Sequence, residues 1–389
     1  MSSVTPLRRP SGAVSARVPA KLNLQLSVGP VRADGYHDLV TVFHAVSLFD
    51  EVTVSHAERT SVTVTGEGGR AVPRGPANLA VKAATALARA AGVPGFGGRS
   101  GTAGVPGFGG RAGTAGRRGR DAGGVRIEIR KRIPVAAGLA GGSADAAAAL
   151  VACNELWRLG ASAKELERVA MKIGSDVPFA LAGGTAVGTG RGERLTPALA
   201  SGSYQWVLAF AQSGLATPDV FATCDRLRAA RSADGVAEPT LRTDLMAALR
   251  AGDPAAVGPL LSNDLQPAAL SLQPVLRRTL AAGRESGALG AIVSGSGPTC
   301  AFLAADAPAA SDLAVAITSA GVCRAVVQVT GPVPGASVLD GLFAAKHRRF
   351  GCMVRPCCFG RRGSPRSSPW PPLESRLSSP IGDHRGAAR

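Results

Sequence analysis

The stretch "PVAAGLAGGSADAAAAL", from Pro134 to Leu150, joins a glycine-rich loop directly to a run of alanines. Glycine is the poorest helix former apart from proline, and alanine is the best. The sequence therefore predicts a loop that gives way abruptly to a helix near Ser143. Free backbone N–H groups and the positive end of the helix dipole make such a start an anion site, and glycines let a phosphate come close. A plain glycine-rich connector is the alternative, and the local pattern alone leaves both open.

Two other nucleotide-binding motifs do not account for this stretch. The chain has no G-x-x-x-x-G-K-[ST] motif, which excludes a P-loop. It also lacks a G-x-G-x-x-G between a strand and a helix with an acidic residue about twenty positions on, which disfavours a Rossmann dinucleotide site. We expect Ser143 to cap the helix and to offer its hydroxyl to a phosphate or a metal. A second tight loop, Gly295 to Gly297, is either a hairpin turn or a second phosphate contact.

Length and composition predict an α+β protein with two domains. The 389 residues exceed what one core usually fills, and because only 4% are aromatic, Ala, Val and Leu must build most of the core. Runs of strands mix with pairs of helices, and the pattern restarts midway along the chain. We predict domains over 14–188 and 189–335. The first strand should be half-buried, with Leu22, Leu24 and Leu26 on one face.

Local signals predict several further elements. The alanine run predicts a helix from about Ser143 to Leu159, and Ser162 with Glu165 forms a capping box for the next helix. The segment "AIVSGSGPTCAFLA" predicts two strands around a tight turn. Residues 265–283 are predicted to form one helix.

The net charge of +17 suggests a nucleic-acid partner, but the position of the charge argues against one. Residues 92–124, which contain two copies of a repeat such as "GVPGFGGRSGTA", carry a net charge of +4, and residues 346–389 carry +8. Their composition predicts that the insertion 92–124 and the basic tail 341–389 are disordered. The folded body is therefore only mildly basic, and no specific nucleic-acid partner is expected. A nucleic-acid-binding protein stays open as the alternative from a different class.

The cysteines and the hydropathy indicate a reducing compartment and no membrane partner. Cys153, Cys224, Cys300 and Cys323 have no metal-ligand spacing and are predicted to be small buried hydrophobes. The tail cysteines near His347 could form a zinc cluster, but no second C-x-x-C pair exists, so no metal site is predicted. No apolar region follows the first arginines, and the longest apolar run is too short to span a bilayer. We expect a cytoplasmic protein.

Three stretches carry candidate polar side chains, each with a structural alternative. In "PAKLNL", Lys21 and Asn23 share a strand face and could orient an anionic substrate, or could lie on a solvated face. In "GSDVPFAL", Asp176 could be a general base or a helix N-cap. In "RADGYHDL", Tyr36 and His37 offer a stacking surface and a hydrogen-bonding ring, or belong to a turn that precedes a strand.

Taken together, "PAKLNL", "PVAAGLAGGSADAA" and "VSGSGPTCAF" resemble the three motifs of the GHMP kinase family, which includes galactokinase, homoserine kinase and the mevalonate and phosphomevalonate kinases. The similarity runs from Val14 to Thr330 without the insertion. It implies a two-domain GHMP kinase fold, with an N-terminal domain like ribosomal protein S5 domain 2 and a ferredoxin-like C-terminal domain. With "RADGYHDL", "GSDVPFAL" and "LSNDLQP", the chain further resembles members that phosphorylate the 2-hydroxyl of a cytidine diphosphate methylerythritol in isoprenoid biosynthesis.

The resemblance also implies cofactors and site residues. It implies ATP with Mg²⁺ and a small-molecule alcohol as the acceptor, and we expect a monomer or a homodimer. Lys21 and Asp176 would be the catalytic pair. The acceptor would contact Asn23, Tyr36, His37 and Phe221. The positions that bind ATP would be Asn78 and Lys131, which flank the adenosine, and the loop residues Pro134, Val135, Ala136, Ala137, Gly138, Leu139, Ala140, Gly141, Gly142, Ser143 and Ala144.

The chain departs from the family pattern in places. Some members have glycine at the positions of Ala136 and Ala140, so we expect the loop to avoid positive φ there. Phe221 matches an aromatic residue near the cytosine, but Ala222 stands where some members carry a lysine. Another GHMP kinase, for homoserine or phosphomevalonate, stays open as the alternative within the family, and neither needs a stacking site for a pyrimidine.

Overall fold

The computed structural model describes residues 12–93, 96, 123–230 and 236–339. Most of the insertion predicted to be disordered, and the whole of the tail 341–389, lie outside the described residues. In chain order the strands are β1 (Val14–Val31), β2 (His37–Ala57), β3 (Ser61–Gly66), β4 (Gly124–Lys131), β5 (Thr185–Gly190), β6 (Arg194–Pro197), β7 (Tyr204–Phe210), β8 (Ser262–Asn263), β9 (Gly290–Val293), β10 (Cys300–Ala304), β11 (Ala325–Gly331) and β12 (Ser337–Val338). The α-helices are α1 (Leu79–Ala91), α2 (Gly141–Leu156), α3 (Ala163–Ala170), α4 (Val177–Ala182), α5 (Thr217–Ala229), α6 (Thr243–Ala251), α7 (Pro254–Val257), α8 (Gln266–Leu272), α9 (Val275–Glu285) and α10 (Ala307–Ser319).

The strands form two sheets. The larger sheet has the order β12-β1-β2-β4-β3, with β5 also paired to β2, β6 to β5 and β8 to β1. Its long antiparallel pair β1 and β2 carries register shifts at Pro19/Ala20, Asn23/Gln25 and Val28/Val31, and such bulges bend and twist a strand. The smaller sheet has the order β11-β7-β10-β9 and is antiparallel throughout.

Strand β1 is buried on both faces, so the expectation of a half-buried strand was wrong. Leu22 and Leu24 lie in the core as predicted. On the other face Lys21, Asn23 and Gln25 are only 8%, 3% and 2% exposed. Gln25 is covered by backbone, since its side chain donates to the carbonyl of Thr240 at 2.6 Å. The alternative of a solvated polar face is therefore excluded.

Helix α2 lies against β1, β2 and α1, and its composition explains the position. The alanines from Ala144 to Ala149 are each no more than 1% exposed. A helix that is apolar on all sides must be buried, and alanine side chains let neighbouring backbones approach closely. The helix begins at Gly141 and ends at Leu156, slightly before the predicted bounds of Ser143 and Leu159.

The two sheets share one large hydrophobic core through strand β7. Trp206 and Leu208 on this strand pack into the core that also holds residues of β1, β2 and α2. The alternate residues Val207 and Ala209 pack with residues of α9 and α10 in a second core. This alternation follows from the two-residue period of a strand. The predicted boundary between residues 188 and 189 falls inside β5, and the division into domains 14–188 and 189–335 stays a prediction.

Several local predictions can be compared with the structure. The capping box of Ser162 and Glu165 is confirmed, as are the two strands around the turn at 294–299. The single helix predicted over 265–283 is wrong, because the chain forms α8 and α9 with a non-helical residue, Gln273, before Pro274. Proline disfavours helical geometry in the residue before it. Among the described helices, none combines the length and apolar character that a membrane-spanning segment requires.

Candidate active site

One cavity of about 1020 Å³ gathers most of the residues that the sequence singled out. It lies where β1, the loop before α2, the loop before α4, helix α5 and the turn after β9 meet. The predicted residues that line it are Lys21, Asn23, Tyr36, His37, Asn78, Lys131, Pro134, Val135, Ala136, Ala137, Gly138, Ala140, Gly141, Gly142, Asp176 and Phe221. Three predicted loop residues do not line it: Leu139 and Ala144 are each 1% exposed in the core, and Ser143 is half-buried in the first turn of α2.

The backbone of the loop corrects two expectations. Ala136 and Ala140 have φ values of 52° and 57°, so the loop takes left-handed conformations at the two positions where we expected it to avoid them. Backbone hydrogen bonds hold both residues, because the Ala136 carbonyl accepts from Leu215 N at 3.2 Å and the Ala140 carbonyl from Ala144 N at 2.9 Å. Ala140 is the N-cap of α2, so the prediction that Ser143 caps this helix was also wrong.

The two glycine-rich loops pack directly on each other. A Cβ atom at Gly138 would lie 2.1 Å from the carbonyl oxygen of Ser294 and 2.8 Å from Gly297 N. A Cβ atom at Gly295 would lie 3.0 Å from both Lys21 Nζ and Asn23 Oδ1. Only glycine allows this close approach of backbone to backbone and of backbone to the lysine. The turn between β9 and β10 therefore closes one side of the cavity beside Lys21.

Lys21 and Asp176 face the same cavity and interact electrostatically. Burial lowers the pKa of Lys21, and the charge of Asp176 acts in the opposite direction. Lys21 Nζ donates to Asn23 Oδ1 at 2.5 Å, and Asn23 Nδ2 donates to Thr41 Oγ1 at 2.7 Å, so the lysine is held in place by the strand beneath it. Asp176 occupies the N-cap position of α4, but its side chain makes no capping hydrogen bond. Its carboxylate is thus available to the cavity.

Asn78 and Lys131 line the cavity, yet their polar atoms are engaged within the protein. Asn78 Oδ1 caps α1 by accepting from Ala80 N at 2.9 Å, and its Nδ2 donates to a backbone carbonyl. Lys131 Nζ lies 2.5 Å from Asp50 Oδ2 and 2.7 Å from Asp145 Oδ2. Their predicted positions beside the adenosine stay predictions.

The buried lysine belongs to an ion cluster that the sequence analysis missed. Asp50 Oδ1 also accepts from the backbone N–H groups of Arg132 and Ile133. Burial raises the pKa of Asp145, and the Lys131 ammonium acts in the opposite direction. Within the part of the chain that the structure describes, Asp145 Oδ1 has no hydrogen-bond partner. A single acid inside an alanine run was the available signal, because a charged residue in a buried helix needs a partner.

Aromatic side chains line the far end of the cavity. His37 is buried and stacks on Phe221, with ring centroids 5.3 Å apart and planes inclined by 27°. Tyr36 is 54% exposed, and the guanidinium of Arg191 lies 5.0 Å from its ring centroid. The sequence analysis did not single out Arg191, which follows β5 and carries no local motif.

Comparisons with known proteins show the family of the chain. Two family models match the chain, "GHMP kinases N terminal domain" over residues 78–184 and "GHMP kinases C terminal" over residues 245–323. A Mycolicibacterium smegmatis protein named 4-diphosphocytidyl-2-C-methyl-D-erythritol kinase is 53% identical over 329 residues, which cover 85% of this chain and 93% of that protein. This chain belongs to the GHMP kinase family.

Solved structures related to this GHMP kinase confirm the predicted fold. A crystal structure of 4-(cytidine 5'-diphospho)-2C-methyl-D-erythritol kinase aligns with a TM-score of 0.60 at 32% identity and covers 81% of this chain and 98% of that chain. Homoserine kinase from Cytophaga hutchinsonii aligns with the same TM-score at 18% identity, over 86% of this chain and 100% of that one, and shows the fold alone. As a member of its family, the kinase uses ATP.

Proposed function

We propose that this kinase transfers the γ-phosphoryl group of ATP to the 2-hydroxyl of 4-diphosphocytidyl-2-C-methyl-D-erythritol, giving the 2-phosphate and ADP. The reaction belongs to the non-mevalonate route to isoprenoid precursors. The substrate comes from the names of the relatives at about 50% identity. The observation that carries the proposal is the single cavity that joins the glycine-rich start of α2, the Lys21–Asp176 couple and the aromatic cluster. Its volume lies at the upper end of the range for small-molecule sites, as a site for two substrates requires.

The nucleotide end of the site is a cradle of backbone N–H groups. The first N–H groups of α2 have no partners inside the helix, and the helix dipole adds positive potential at the same point. Gly141 and Gly142 stand at this helix start and line the cavity. Because these residues carry no side chain, the phosphates can approach the N–H groups closely.

Asp176 is the proposed general base. It accepts the proton of the substrate hydroxyl while that oxygen bonds to the γ-phosphorus and the bond to the ADP oxygen breaks. Lys21, held by Asn23, faces the same cavity and offsets the charge of the transferred group. The two side chains therefore act as one unit.

The donors present fit Mg²⁺, which proteins bind through few side-chain oxygens together with substrate phosphates. A Cβ atom at Gly174 would lie 3.9 Å from Ser143 Oγ, so this hydroxyl sits beside the loop that carries Asp176. The Ser143 hydroxyl would hold the ion together with the phosphates, and the bound ion would offset negative charge on the phosphates. Among the described residues, no group of three or more His, Cys, Asp or Glu side chains is placed to bind a metal without a nucleotide.

The experiment is an ADP-release assay with a panel of alcohols. The panel contains 4-diphosphocytidyl-2-C-methyl-D-erythritol, the same alcohol without the cytidine diphosphate, homoserine and phosphomevalonate. We expect turnover with the first compound alone. Faster turnover with homoserine or phosphomevalonate would assign the chain to another branch of the family.

A further inference from the structure

Asp225 is a cavity residue to which the mechanism assigns no role. It lies on α5 four residues after Phe221, and residues at this spacing share one face of a helix. Both residues line the aromatic end of the cavity. Asp225 Oδ2 lies 3.4 Å from His37 Nε2, and 43% of the aspartate side chain is exposed.

The hydrogen bonds of His37 determine which hydrogen-bonding groups His37 and Asp225 present to a ligand. His37 Nδ1 lies 2.9 Å from the carbonyl oxygen of Gly29. A carbonyl oxygen can only accept, so Nδ1 carries the hydrogen. In the neutral ring Nε2 is therefore an acceptor, and it stands next to a second acceptor, the Asp225 carboxylate. If the ring is protonated, Nε2 donates to Asp225 instead, and the carboxylate still has free lone pairs.

We propose that Asp225 is a specificity-determining residue that accepts a hydrogen bond from the exocyclic amino group of the substrate's cytosine. This inference rests on the proposed function. An amino group has two N–H donors, one for the carboxylate and one for the neutral His37 ring. A keto oxygen at the same position, as in uracil, would set its lone pairs against the carboxylate and leave that acceptor without a donor.

The test compares cytidine and uridine forms of the acceptor in the full chain. Asp225→Asn replaces one acceptor oxygen by an N–H donor, which can pair with a keto oxygen. We expect the ratio of kcat/KM for the cytidine form to that for the uridine form to fall by about 10- to 100-fold, through KM rather than kcat. The KM for ATP should not change. Asp225→Ala, which removes the acceptor without adding a donor, should raise KM for the cytidine form and should lower KM for the uridine form less than Asp225→Asn does.

Asp219→Asn is the matched control, because Asp219 lies on the same helix but is exposed and does not line the cavity. Binding of CDP and UDP by calorimetry gives a readout that needs no turnover. An unchanged cytidine-to-uridine ratio in Asp225→Asn, or an equal loss for both forms, would overturn the inference. If the wild-type chain fails to phosphorylate the cytidine acceptor, the proposed function fails, and the CDP and UDP affinities still decide the role of Asp225.

Discussion

Replacing Ala140 by glycine should stabilise the protein, although glycine usually destabilises a helical region. Ala140 has φ 57° and ψ 32°, and the left-handed conformation costs a residue with a Cβ atom about 1–2 kcal/mol. Glycine avoids this cost but loses about 0.4–1 kcal/mol through the greater freedom of the unfolded chain. We therefore expect the free energy of unfolding to rise by about 0.5–1 kcal/mol.

The same substitution at Ala247 is the control. Ala247 is exposed in the middle of α6, where alanine has right-handed helical geometry, so glycine should lower the free energy of unfolding by about 1 kcal/mol. Urea unfolding of both variants and of the wild type measures the two changes under identical conditions. If Ala140→Gly loses as much stability as Ala247→Gly, the left-handed backbone at the start of α2 is refuted.

Three further predictions follow from buried or aromatic side chains. Burial lowers the pKa of His44 to about 4, below its value in the unfolded chain. Because the unfolded chain therefore binds the proton first as the pH falls, the free energy of unfolding should decrease by up to about 3 kcal/mol between about pH 6.5 and pH 4. His44→Gln should remove this part of the pH dependence, as measured by urea unfolding. Lys131→Met leaves Asp50 and Asp145 buried without their cation and should cost about 3–5 kcal/mol of stability in the same assay. Tyr36→Ala should raise KM for the cytidine acceptor by about 10-fold or more in steady-state assays, because stacking on the cytosine is lost, and should leave KM for ATP unchanged. An unchanged KM for the cytidine acceptor would favour another acceptor.

The sequence predicted those parts of the site whose signal lies within a few neighbouring residues, and it predicted the parts that depend on distant residues less well. The glycine-to-alanine transition located the start of α2 within two residues, because both helix propensities act over a few positions. Lys21 and Asp176 were singled out from short motifs, and the structure brings both to one cavity. Their assignment as a catalytic pair depended on a resemblance, since no local rule relates two residues so far apart in the chain.

The failures came from tertiary contacts. A backbone hydrogen bond from Leu215 holds Ala136, whose positive φ residue preference alone disfavours. Strand β1 looked half-solvated because its polar face lines a cavity rather than a surface. The pairing of Lys131 with Asp50 joins residues 81 positions apart, and nothing in either neighbourhood indicates the partner.

The central claim is that Asp176 takes the hydroxyl proton while the backbone cradle at α2 holds the nucleotide. Asp176→Asn keeps the shape of the side chain and removes the base. We predict that kcat for the cytidine acceptor falls by about 10²–10⁴-fold, while the dissociation constant for ATP, measured by titration on the same protein, stays within about twofold of the wild-type value. Full turnover in this variant would contradict the assignment of the base, and an equal loss of ATP affinity would contradict the separation of the two roles.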